Sequence, residues 1–226
     1  GEQASNGRDI GVQLQGDLLP NANGRRVLHY QVGVFNGQGI NMKDVDNRKD
    51  VIGGIWLMPV SGMRIGAFGW TGSYARTGTW TENGETVSGT RTVSRNRYAI
   101  SGEYVKDDWT FRSEYIPRQR YGVSTTYQNH GPQKDCTINT GAGDKAAGLY
   151  ALLIAPVKKN KVHLKARYDM YRPKAEWSTA KTQYEIGADY CLGKNIKLNA
   201  EYVFVNDRKL AKSNYNMLDF QVDVRF

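Results

Sequence analysis

Basic side chains recur at even spacing along three stretches of this chain. Arg112, Arg118 and Arg120 share one, Lys161, His163, Lys165 and Arg167 a second, and Lys197 lies on a third. In an extended strand alternate residues share a face, so each stretch presents its cations together. Guanidinium offers planar bidentate donors to phosphate or carboxylate, and ammonium offers a compact charge. Such faces can exchange an anion's hydration shell for contacts with a wall. Acids are interleaved almost one for one over the C-terminal part, at Glu114, Asp169, Glu185, Asp189 and Glu201. The competing reading is that these charges pair across strands and only hold the wall together.

Other chemistry is sparse. Trp56, Trp70 and Trp80 suit a sugar-stacking slide, but as residue types they more often build interfacial girdles or loop cores. His29, His130 and His163 lie far apart with no ligand spacing, so no metal is expected. Lumen carboxylates could pair as a hydrolytic dyad, yet no nucleophile motif or Ser/His/Asp grouping stands out. The expectation is a chain that is not an enzyme and needs no cofactor. Gly37-Gln38-Gly39 lacks the strand-to-helix setting of a phosphate loop and reads as a loop entrance. Cys136 and Cys191 are the two cysteines. They fall near opposite ends of the expected wall and are read as free thiols.

The elements that must carry these residues are strands. The 226 residues have a mean hydropathy of −0.61 and a net charge of +9. No run of 18 apolar residues could cross a bilayer as a helix. Alternation is nevertheless persistent. Phe220, Val222, Val224 and Phe226 oppose Asp219, Gln221, Asp223 and Arg225. Tyr184, Ile186, Ala188, Tyr190 and Leu192 oppose Gln183, Glu185, Gly187 and Asp189. A Lys or Arg facing lipid near mid-bilayer costs about 2–4 kcal/mol, so the charged set must face water. The pattern is that of a barrel oily outside and wet inside. Tyr98, Tyr104, Tyr184 and Tyr190 then fall near strand ends on the lipid side, where girdles belong.

We read eleven strands, at 9–19, 26–36, 49–60, 63–75, 97–105, 109–121, 145–157, 161–172, 181–192, 196–206 and 215–226. Their connections alternate short and long, as between the periplasmic and extracellular sides of bacterial barrels. Asn83-Gly84 reads as a hairpin tip carrying two strands beyond the membrane. Segments 53–56 and 151–154 are apolar on both faces and are expected to pack against an inward-folded loop. Bacterial single-chain barrels have even strand numbers. An odd count implies either a miscount or absent N-terminal strands, and a chain that does not close on itself.

Four segments carry a family resemblance: residues 8–17, 28–39, 64–72 and the terminal Val224-Arg225-Phe226. Together they resemble the phosphate-selective porin O/P family in its Bacteroidetes form, and the match is to the C-terminal part of a longer member. The resemblance implies an all-β, transmembrane, antiparallel up-and-down barrel, as part of a sixteen-stranded homotrimeric porin in the outer membrane of a Gram-negative bacterium. Its partners would be outer-membrane lipid and small hydrophilic or anionic solutes, with no nucleic acid. The candidate anion contacts are Arg112, Arg118, Arg120, His163, Lys165, Arg167 and Lys197. The other readings are an adhesive or structural barrel acting through its loops, and a soluble binding barrel with the inverse arrangement of faces.

Overall fold

In the computed structural model the described residues are 9–37, 39, 44, 46–120, 124–127, 136–139 and 145–225. At 74, 76, 93, 95, 118–120, 124–127, 136–139 and 145 only the backbone is described. The strands are β1 (Gly11–Pro20), β2 (Arg26–Phe35), β3 (Asp50–Leu57), β4 (Met63–Glu82), β5 (Glu85–Lys106), β6 (Trp109–Arg120), β7 (Ser124–Tyr127), β8 (Cys136–Asn139), β9 (Lys145–Lys158), β10 (Val162–Arg172), β11 (Lys181–Leu192), β12 (Ile196–Asp207) and β13 (Asn214–Val224). Eleven of them follow one another in a single sheet, in chain order and with every neighbour antiparallel. This is the wall of an up-and-down barrel. Among the described residues β1 pairs only with β2 and β13 only with β12, so no ladder joins β1 to β13 and the sheet is open.

Register turns the alternation into two faces. Lys165 pairs with Gly187, Ala166 with Ile186 and Arg167 with Glu185, and the next ladder sets Ile186 against Tyr202 and Gly187 against Glu201. The charged residues of β10, β11 and β12 therefore share one face of the wall. Ile186, Leu218, Phe220 and Val222 are 62% exposed or more, whereas Asp189 is 7% exposed. Tyr184, Tyr190 and Tyr202 stand on the outer face with them, and Tyr168 lies beside Tyr184 at 5.1 Å between ring centroids. Apolar side chains this exposed are tolerated where lipid replaces water.

Two long connections contain further strand, the first of them as the Asn83-Gly84 reading expects. The segment 76–96 continues β4 and β5 in unbroken register to a tip at Asn83-Gly84, where φ values of 52° and 86° provide the left-handed pair that a tight hairpin requires. The outer face of β4 reads Ile65, Ala67, Gly69, then Thr71, Ser73, Ala75, Thr77 and Thr79. Opposite, Tyr104, Ile100 and Tyr98 give way to Asn96, Ser94 and Thr90. Thr71 bonds Asn96 at 2.7 Å, and Thr77 bonds Thr90 at 2.9 Å. Hydroxyls replace aliphatics at Thr71, so lipid ends there and the ribbon stands in water for roughly 35–40 Å at strand rise. The second loop, between β6 and β9, contains the β7–β8 hairpin, and β8 joins β4 in parallel at Thr79↔Thr137.

The ribbon also seats the β2–β3 connection. Asp50, 1% exposed, accepts Trp70 Nε1–H at 2.7 Å and the Ser73 amide at 2.9 Å. Asp46 accepts the hydroxyls of Ser73 and Thr92. Gly72 is required here, because a Cβ would stand 1.8 Å from Asp50 Oδ1.

Candidate solute pathway on the polar face

The register places Arg112, His163, Lys165, Arg167 and Lys197 on the same, polar face. Each is paired. Arg112 Nε lies 2.6 Å from Glu103, Lys165 Nζ 2.6 Å from Glu201, and Arg167 Nε 2.7 Å from Asp169. His163 and Lys197 share Asp189, at 2.6 and 2.8 Å. The wall-building role is therefore realised for these five. The side chains of Arg118, Arg120 and Cys136 lie outside the described residues, while Cys191 has a free thiol. Lys165 reaches Glu201 across a whole strand because Gly187 lies between them. A Cβ there would come within 2.8 Å of Glu201 Cγ.

Trp56 and Trp70 are not girdle residues. Parity puts them with Arg64, Gly66 and Phe68 on the polar face, while Ile55 and Leu57 take the exposed outer one. The Trp56 indole lies flat over two glycines. A Cβ on Gly54 would meet its Cη2 at 2.5 Å, and one on Gly66 its Cδ1 at 2.1 Å. Arg64 stacks on Trp56 at 4.8 Å, Arg97 on Trp70 at 5.2 Å, and His29 tilts against Trp56 at 5.4 Å. Trp56, Arg64, Trp70 and Arg97, with Glu103 and Arg112, border a recess of ≈ 580 Å³. Part of the signal was available in sequence: within β4 Trp70 has the parity of Arg64 and not of Ile65, and within β3 Trp56 has the parity opposite to Ile55. No inward loop covers segments 53–56 and 151–154 among the described residues. Trp56 covers the first, and Arg167 and Lys165 stand opposite Leu152 and Ile154 in the second, where their aliphatic stems shield apolar surface.

A grouping that spacing concealed lies near the short turns. His163 Nδ1 meets Asp189 at 2.6 Å, its Nε2 lies 3.9 Å from Asp108, and Cys191 is close by. The β10–β11 register brings His163 to Asp189 and Cys191, and Asp108 joins them from the β5–β6 turn, where it accepts the Asn160 amide.

No family model matches the chain, and no curated protein matches it. Solved structures do. A loop L8 deletion mutant of OmpT, an outer membrane protein of Vibrio cholerae, matches with a TM-score of 0.52 and 14% identity, over 98% of this chain and 64% of that one. OmpT folded in vitro gives 0.48 at 13% identity over 93% and 62%, and outer-membrane expressed OmpT 0.45 at 14% over 86% and 54%. The chain thus spans less than two thirds of the structures it matches.

One expectation is corrected at this point. The expectation that the chain is not an enzyme does not stand: its fold neighbours are OmpT outer-membrane proteins, and sharing their fold does not set catalysis aside. Nor do the described residues lack catalytic residue types, since the His163–Asp189 couple is the kind of pair in which a carboxylate orients an imidazole. What the likeness establishes, together with the two faces of the sheet, is the fold: this chain forms the wall of an outer-membrane β-barrel.

Proposed function

We propose that this wall lines a channel through which small hydrophilic solutes diffuse, with a weak bias to anions, the general pore role being what the resemblance to the phosphate-selective porin O/P family implies. The observation that carries the reading is the continuity of the polar face. The strands of the path set charged or hydrogen-bonding residues on this face, from Gln13 and Gln15 in β1 through Arg64, Arg112 and Arg167 to Asp219 and Gln221 in β13, with Phe68, Leu152 and Ile154 interspersed among them. Such a face has no use against lipid and needs water along its length. Ion pairing does not exhaust its cations. Arg112 meets Glu103 through Nε while half-exposed, which leaves its terminal N–H groups for a passing anion. The net charge of +9 works in the same direction.

Reversal potentials across a planar bilayer in a salt gradient test this. The expected result is anion preference that falls when Arg112, Lys165 and Arg167 are replaced by Gln. Cation preference in the unmodified channel overturns the bias, and no conductance overturns the channel. A second reading, attachment through the outside, is favoured by the β4–β5 ribbon alone. Shortening that ribbon between Thr77 and Thr90 separates the two, since a channel keeps its conductance and an adhesin loses its surface binding.

A further inference from the structure

On the polar face beside the short turns, His163, Asp189 and Cys191 bring an imidazole nitrogen, a carboxylate oxygen and a thiol sulfur within 4.8 Å of one another. Register enforces the meeting. His163 is the partner of Asp189, and Cys191 lies two residues further along the same face, opposite Lys197. The group sits low in the wall, with the Asp189 and His163 side chains only 7% and 12% exposed.

We propose that this cluster is a binding site for a divalent metal ion of the zinc class. Imidazole, carboxylate and thiolate together match a borderline-soft ion and suit calcium or magnesium poorly. Three protein ligands leave a fourth position for water from the lumen. Donor atoms around tetrahedral zinc stand roughly 3.3–3.8 Å apart given its bond lengths. The 2.6 Å His163–Asp189 contact must therefore open by about 1 Å, a side-chain rotation. The surroundings permit it. Lys197 Nζ holds Asp189 Oδ2 at 2.8 Å, while Oδ1 is the oxygen turned to His163. Asp108 Oδ2 lies 3.9 Å from His163 Nε2 and is itself anchored by the Asn160 amide at 2.6 Å. When Nδ1 turns to the ion, Nε2–H is left to Asp108, the outer-shell carboxylate that ligating histidines commonly use. Binding converts Cys–SH and M²⁺ into a metal thiolate and releases one proton, so affinity rises with pH.

The test uses the refolded barrel carrying Cys136→Ser, so that Cys191 is its one thiol. Co²⁺ is the probe, read by its thiolate charge-transfer absorption, and Zn²⁺ is the competitor. The expected result is a saturable band that Zn²⁺ abolishes, that C191S removes, and that H163A weakens at least tenfold in affinity. K197M, which changes a neighbour and no ligand, keeps the band. Absence of the band, or a band indifferent to C191S and H163A, overturns the site. Should those variants fail to fold, alkylation of Cys191 in the parent decides. Zn²⁺ is expected to slow it more than tenfold, and an unchanged rate overturns the proposal. None of these readings depends on conductance.

Discussion

Trp56 illustrates how single residues shape the polar face. Its indole lies flat because Gly54 and Gly66 offer no Cβ. Gly66→Ala forces the ring off the wall or the strands apart, and overpacking of this kind costs about 1–3 kcal/mol. We expect G66A to lower the unfolding midpoint in urea, and W56A to restore most of the loss in the double variant. Additive losses would place the clash elsewhere. Outside the membrane, Asp44 is held below the ordinary carboxylate range, chiefly by the hydrogen bond it accepts from Lys49, with the Asp46 and Asn47 amides adding to it against burial. A depressed carboxyl pKa contributes stability that is present above the unfolded value and lost as pH falls through the lower folded one. The anchor should therefore survive to below about pH 4, the ordinary carboxyl value. Lys49→Met should move the Asp44 titration upward in carboxyl-detected NMR.

For a strand the governing quantity is depth in the bilayer. Ile65 and Thr90 both stand exposed on the outer face of the β4–β5 pair, on either side of the change to hydroxyls at Thr71. Ile65→Arg places a cation against lipid and should cost about 2–4 kcal/mol, whereas Thr90→Arg stands in water and should cost about 0–1 kcal/mol. Refolding titrations into lipid vesicles measure both. Equal costs would move the boundary. The same argument explains why β4 and β5 run on as strands: Thr- and Val-rich segments keep pairing where no lipid demands it, and Asn83-Gly84 closes them.

Across the whole wall, pairing sets local stability. Strands β2 to β12 of the main path have a neighbour on both sides, while β1 and β13 have one each among the described residues. An edge strand leaves alternate N–H groups without a ladder partner. In detergent micelles, amide exchange of these residues should be slowest in β10, β11 and β12 and fastest in β1 and β13. Uniform slow exchange at both edges would show that they are paired in solution.

Most of the fold was legible because a barrel wall is written with period two. Ile186 and Glu185 declare their faces by type, and lipid penalises any slip of register by turning every side chain over. Strand limits were less legible at 76–96, where hydroxyl residues carry neither a lipid-facing nor a lumen-facing mark. The candidate cations could be assigned to one face from sequence, since that needs parity alone. Their partners could not, because pairing Lys165 with Glu201 across Gly187 depends on the stagger of three strands. The His163, Asp189 and Cys191 cluster lies beyond sequence for the same reason: residues 26 apart meet through a ladder whose register no local pattern encodes. Alternation along a strand is a local property and was determined by the sequence itself. Adjacency across strands is set by the stagger of the whole sheet, and only the tertiary structure decided it.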